Sequence, residues 1–163
     1  MSAQLIYWIF LLACSAYVLW KGGPPERLGI AIAIAASFLS AITVSHDLSV
    51  RYRHVETGLF TVDLVTLAAF AVLALRSDRF WPLWITGIHL VGVATHTAKL
   101  LTPEVVPRVY SWIQGLWAYP IVLLIVIGAW RHQKRLKRFG ADNSWTGSSG
   151  SGGRRRHRPG PET

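Results

Sequence analysis

The sequence is poor in charge, and it contains a single cysteine. Of its 163 residues, 15% are charged and only eight are Asp or Glu, whereas charged residues make up about a quarter of a typical soluble domain. One cysteine, Cys14, can form no internal disulfide and no C-x-x-C redox or zinc pair. The composition therefore argues against an ordinary soluble domain and against a disulfide-stabilised one.

The common catalytic and nucleotide-binding motifs are absent as well. The sequence contains no H-E-x-x-H zinc motif, no G-x-S-x-G nucleophile motif, no Walker A loop and no G-x-G-x-x-G dinucleotide motif. These absences argue against the enzyme classes that the motifs mark. We therefore expect a protein without catalytic activity.

The sequence instead contains long apolar runs. Five runs of 16 to 22 residues follow one another, a length that spans the hydrocarbon core of a bilayer. A soluble amphipathic helix would carry a charged face. Apart from Cys14, the tyrosines and Arg27 at the start of the second run, however, the only ionisable side chains inside these runs are Asp63, His89 and His96. We predict transmembrane helices over residues 5–20, 27–45, 58–75, 81–98 and 109–130.

Short connections between the runs predict antiparallel neighbours. No Lys or Arg precedes the first run, so we interpret it as a retained helix and not as a signal peptide. Small residues four apart in the second run, such as Gly29 and Ala33, favour a central position for that helix. The predicted fold class is an all-α integral membrane protein, a five-transmembrane-helix up-and-down bundle over residues 1–139. Trp20, Trp81, Trp84 and Trp130 are expected to mark one membrane interface.

The composition changes after the fifth run. Residues 140–163 are rich in Gly, Ser, Pro and Arg, so we predict a disordered basic C-terminal tail that the bundle does not need for assembly. A basic flank before it is expected to bind anionic lipid headgroups on the cytoplasmic side. Its members are Arg131, Lys134, Arg135, Lys137 and Arg138.

This basic flank also predicts the orientation. With five spans, the N-terminus lies outside the bacterial inner membrane and the C-terminus lies in the cytoplasm. From Arg131 onward there are nine basic and two acidic residues, which is +7 of the formal net charge of +9. The strong positive charge therefore belongs to the flank and tail, and nucleic-acid binding by the folded part is not expected.

Aspartate and histidine are costly to bury in a membrane, so those within the runs are candidates for function. Counting outward from the turn near Asp78 places Asp63 at the depth of Gly92, with His89 and His96 about 5 Å to either side. We predict that Asp63 contacts His96, with His89 as the second choice. We also expect a neighbouring helix to approach closely at Gly92.

The same count brings further polar side chains to this depth, and together they form a predicted polar layer. The candidates for binding a ligand or a proton are Asp63, His89, His96, Gln114 and Ser40. Such residues often do no more than hydrogen-bond neighbouring helices, which contributes about 1 kcal/mol or less each. The layer is thus interpreted either as helix packing or as a site for a ligand or protons.

Two function classes follow. The first is a small polytopic accessory or interaction subunit, with the anionic bilayer and other membrane proteins as partners. The alternative is a ligand-handling membrane protein, either a quinone or haem subunit or a proton-coupled carrier. We expect no metal site and no resident cofactor; quinone and haem b belong to the alternative. His89 and His96 lie about 10 Å apart along one helix, too far to ligate the same iron.

Overall fold

The computed structural model describes residues 3–43, 57–101, 107–140, 142 and 145, and its regular structure within them is helical. All five predicted helices are present. They are α1 (Ala3–Lys21), α2 (Pro24–Thr43), α3 (Thr57–Arg76), α4 (Trp81–Leu101) and α5 (Pro107–Phe139). The largest difference from the prediction is α5, which continues to Phe139. The segment after Trp130 is rich in Arg and Lys, which are good helix formers.

Three of these helices are long and apolar enough to cross a membrane. Among the described residues the candidate spans are Gln4–Lys21, Pro24–Thr43 and Thr57–Arg76. Only 17% to 22% of the residues in these spans are buried inside the protein, so most of their apolar side chains face outward. A contiguous apolar surface of this extent indicates contact with a membrane.

The helices pack as sequential neighbours, with two of them in the middle. Each of α1–α2, α2–α3, α3–α4 and α4–α5 is in contact, and α5 also packs against α1 and α2. α2 and α5 therefore each contact three other helices. The predicted central position of α2 is correct, but α2 shares this position with α5.

Trp81, the first residue of α4, holds the middle of the bundle together. Its indole lies between Gly29 of α2 and Gly128 of α5, positions where any added side chain would collide with the ring. Trp81 Nε1 donates a hydrogen bond to Glu26 Oε1 at 3.2 Å. The prediction that Trp81 marks the membrane interface is therefore wrong, since the residue is only 7% exposed.

Trp20, Trp84 and Trp130, by contrast, are exposed, as an interfacial position requires.

One end of the bundle is closed by short turns, and we call it the ionic end after its charged residues. The α1–α2 turn (Gly22 and Gly23), the α3–α4 turn (residues 77–80) and the last turns of α5 meet here. Gly140 ends α5 with a φ of 70°, a left-handed conformation that favours glycine. Its N–H donates to the carbonyl of Leu136 at 2.9 Å, which caps the helix.

This glycine turns the chain back onto the bundle. Asp142 bonds to three side chains of the ionic end, and Trp145 pairs with Ser77 in an isolated β-bridge. Both residues belong to the segment predicted to be disordered, so the chain contacts the bundle at two positions beyond the predicted boundary at residue 140. A lone Asp and a lone Trp form no repeating pattern in the sequence, so their contacts with the bundle could not be predicted from composition. Residues 146–163 lie outside the described residues.

The Trp81 contact predicts that the bundle is sensitive to a methyl group at Gly128. A Cβ there would lie 2.6 Å from Trp81 Cδ1 and 2.7 Å from Nε1, closer than atoms can pack. Gly128→Ala should cost about 1–3 kcal/mol and lower the Tm of the purified protein by several degrees, measured by thermal unfolding in detergent.

The matched control is Gly87→Ala in α4, where an added Cβ meets nothing within 4 Å. Alanine forms helix better than glycine, so the Tm of this variant should stay the same or rise. Equal losses in both variants would mean that the Trp81 contact does not determine stability.

Candidate functional site

The α3–α4 hairpin brings Asp63 and His96 together. His96 Nε2 lies 3.0 Å from Asp63 Oδ2, so the predicted contact is confirmed. His96 is 1% exposed, whereas the Asp63 side chain is 29% exposed. The pair thus joins a buried imidazole to a carboxylate that reaches the surface of an apolar helix.

The direction of side chains on a helix explains why His96 is the partner. Sequence counting placed Asp63 level with Gly92, about one turn from His96. Side chains lean toward the N-terminus of their own helix. Because α3 and α4 are antiparallel, Asp63 leans toward one end of the bundle and His96 leans toward the other. The two side chains therefore meet although their Cα atoms differ in depth.

Aromatic contacts orient the two histidines separately. The His96 ring packs against Phe60, one turn before Asp63 on α3, with ring centroids 5.7 Å apart and a tilt of 55°. His89 stacks on Phe70 with centroids 5.8 Å apart and an angle of 17°. His89 is thus placed two turns from the Asp63–His96 pair as a stacked, half-buried ring, and it is not the hydrogen-bond partner of Asp63.

The other predicted members of the layer do not join the pair in the described part of the chain. Ser40 on α2 is half-buried, and no hydrogen bond there links it to Asp63 or His96. The side chain of Gln114 lies outside the described residues. A Cβ at Gly92 would meet nothing within 4 Å, so the expected close helix approach at Gly92 is wrong. That glycine instead leaves open space between the two histidines on α4.

Four members of the predicted headgroup-binding set face outward. Arg131, Lys134, Lys137 and Arg138 are exposed. Lys134 Nζ lies 3.7 Å from the centre of the Trp130 ring, and Lys21 Nζ lies 4.2 Å from that of Trp20. Cation–aromatic pairs at one end of a bundle suit the level of lipid headgroups. Arg135 differs, because its Nε donates to Asp142 Oδ1 at 2.8 Å.

A cluster of charged side chains at the ionic end, most of them buried, was not predicted from the sequence. We call it the ionic cluster; its members are Glu26, Arg79, His132, Arg135 and Asp142. In the sequence these residues lie in the connections between the apolar runs, in the basic flank or in the tail, where charged residues are normally solvated. The one sequence signal was Glu26 three residues after Gly23, the spacing of a helix-capping carboxylate.

Asp142 is the most heavily bonded member of the cluster. Arg79 donates to both of its oxygens, Nη1 to Oδ1 at 3.1 Å and Nη2 to Oδ2 at 2.6 Å, and His132 and Arg135 add one bond each. Burial alone would raise the pKa of Asp142, but these bonds outweigh it and lower the pKa to about 2. Asp142 therefore stabilises the fold fully above its ordinary pKa of 3.8, and this contribution is lost as the pH falls toward 2.

Neither group of residues resembles a metal centre. Among the described residues, no set of three or more His, Cys, Asp or Glu side chains could hold a metal ion.

The Asp63–His96 pair predicts different outcomes for two substitutions of Asp63. Asp63→Asn keeps an acceptor for the imidazole and should lower the Tm only slightly. Asp63→Leu removes the acceptor that buried His96 uses in the pair and should cost about 1–3 kcal/mol. Thermal unfolding of both variants in detergent measures the difference. If Asp63→Leu were as stable as the parent, the pair would contribute nothing to the fold.

Comparisons with protein-family models, with curated proteins and with solved structures find no match for this chain. The functional conclusion therefore depends on the chain's own residues and their geometry.

Proposed function

We propose that the chain is a five-span integral protein of the bacterial inner membrane and acts there as a non-catalytic accessory or interaction subunit. Its N-terminus lies outside and its C-terminus lies in the cytoplasm. Support for five spans comes from α4 and α5, which pack as antiparallel neighbours beside the three apolar helices and expose large side chains such as Leu90 and Ile127. The cytoplasmic side is the ionic end, where the basic residues of α5 lie.

The observation that carries the interaction role is an apolar groove along α4. It has a volume of about 510 Å³, and its walls include Leu83, Trp84 and Val91 of α4 and Trp117 of α5. Gly87 lies in the groove with open space beside it. A glycine in an apolar groove lets the backbone of another helix approach closely, which is how helices associate in membranes.

A partner helix fits this groove better than a lipid chain does. The open space beside Gly87 admits the backbone of a second helix, and close backbone approach at small residues is how transmembrane helices associate. We therefore assign the groove to a transmembrane helix of another protein.

Site-specific photocrosslinking in cells tests this assignment. A photoreactive residue at Leu83 or Val91 should give one discrete protein adduct, and the same residue at Val72, which is exposed on α3, should not. Gly87→Leu fills the groove and should reduce the adduct at least tenfold. Gly92→Leu is the matched control, since its Cβ is also unobstructed but lies outside the groove; it should keep the adduct. Adducts with lipid only, or equal adducts from Val72, would contradict the assignment.

The membrane topology has its own test. Reporter proteins fused before Gln4 and after residue 163 should report the outside and the cytoplasm, respectively, because five spans place the termini on opposite sides. Reporters active on the same side of the membrane would mean an even number of spans. The accessory role with this topology would then fail.

A second function, exchange of protons or binding of a small redox ligand, is favoured by one observation. The Asp63 carboxylate is partly exposed beside buried His96, and Gly92 leaves open space on the same helix. An ionisable pair between two apolar helices is a common element of proton relays. Co-extracted quinone in the purified protein that disappears in Asp63→Asn, without a loss of stability, would favour this function over the accessory role.

A further inference from the structure

The ionic cluster is built around the two oxygens of one carboxylate. Asp142 Oδ1 accepts from Arg79 Nη1 and Arg135 Nε, and Oδ2 accepts from Arg79 Nη2 and His132 Nδ1. The side chains of Arg79 and Asp142 are each only 4% exposed. A planar guanidinium that meets both oxygens side by side is the arrangement proteins use to bind carboxylates and phosphates.

The cluster has more donor capacity than the carboxylate uses. Within the described part of the chain, Arg135 Nη2 is buried and has no hydrogen-bond partner. A carboxylate has two oxygens, whereas a phosphate group has three or four and could accept from this nitrogen as well. The number of donors therefore suits a phosphate group, which has more acceptor oxygens than the Asp142 carboxylate.

The donor Arg79 is held in place independently of Asp142. Its Nε lies 3.3 Å from Glu26 Oε1. Glu26 is fully buried, and it is itself fixed by the Gly23 N–H at 3.1 Å and by Trp81 Nε1. The guanidinium is thus positioned by α2 and α4. Asp142 reaches it only by the turn at Gly140 that follows α5.

We propose that Arg79, His132 and Arg135 form a binding site for a phosphate group, and that Asp142 is an intramolecular occupant which the ligand displaces. When Asp142 leaves, Glu26 balances one of the two arginines, so the vacated site has a net positive charge. The phosphate comes from a lipid headgroup or from a soluble phosphate compound. The pairs Trp20–Lys21 and Trp130–Lys134, whose tryptophans are exposed, lie at the same end and place the site at a suitable depth for headgroups. This proposal does not rest on the partner-helix groove.

The test uses Asp142→Asn, which weakens the internal occupant while keeping its shape. The variant should have a lower Tm than the parent in detergent. Excess inorganic phosphate should raise that Tm by about 5 °C, relative to sodium chloride of the same ionic strength. The matched control is Asp78→Asn, which removes one exposed carboxylate from the α3–α4 turn; phosphate should leave its Tm and that of the parent nearly unchanged.

Adding Arg135→Gln to Asp142→Asn should abolish the phosphate effect, because it removes donors without touching Arg79 or Glu26.

The source of the phosphate is then determined by comparing detergent with nanodiscs. A rise in detergent with inorganic phosphate indicates a soluble ligand. A rise confined to nanodiscs of phosphatidic acid over phosphatidylcholine, and lost with Arg135→Gln, indicates a headgroup. No rise in either medium, or the same rise with and without Arg135→Gln, overturns the proposal and leaves Asp142 as a structural ion-pair partner.

If Asp142→Asn does not fold, the proposal is tested on the parent protein instead. Displacement of Asp142 would loosen the Ser77–Trp145 bridge. Hydrogen exchange of the peptide containing Trp145 should then increase with phosphate, or with phosphatidic acid nanodiscs, relative to chloride or phosphatidylcholine. Unchanged exchange under both conditions overturns the proposal.

Discussion

Glu26 imposes the constraint on which the rest of the bundle depends. A carboxylate with no exposed surface must be paired and hydrogen-bonded, because an uncompensated buried charge costs several kcal/mol. Its partners come from three places: the N–H of Gly23 in the α1–α2 turn, Trp81 at the start of α4, and Arg79 in the α3–α4 turn. Satisfying this one residue therefore fixes how two hairpins pack against each other.

The same constraint extends to Asp142, which follows the last helix. Arg79, once buried to pair with Glu26, has its two remaining nitrogens bound by Asp142. Asp142 in turn accepts hydrogen bonds from His132 and Arg135 of α5. Trp81, oriented by Glu26, packs against Gly29 of α2 and Gly128 of α5. Packing, hydrogen bonding and charge compensation are thus coupled at the ionic end. A change there should affect all five helices.

The described residues around Asp63 and His96 are organised more loosely. The pair is a single hydrogen bond between two helices, and the carboxylate is partly exposed. Space remains beside Gly92 and in the groove beside Gly87. The ionic end is thus closed by many hydrogen bonds, whereas the apolar surface of α4 is open.

The sequence by itself determined the helices and the nature of their surfaces. Apolar runs of bilayer length and the breakers between them specify five helices, since these are local properties of the chain. The Asp63–His96 contact was also predictable, because a short turn forces α3 and α4 to be antiparallel and fixes their register to within about a turn. Only the tertiary structure decided which polar residues are buried. Glu26, Arg79 and Asp142 are far apart in the sequence and resemble solvated turn and tail residues there. Their burial follows from the convergence of three chain segments at one end of the bundle, which no local pattern encodes. For the same reason, Trp81 was interpreted as an interfacial residue: its position between two glycines depends on how α2, α4 and α5 pack.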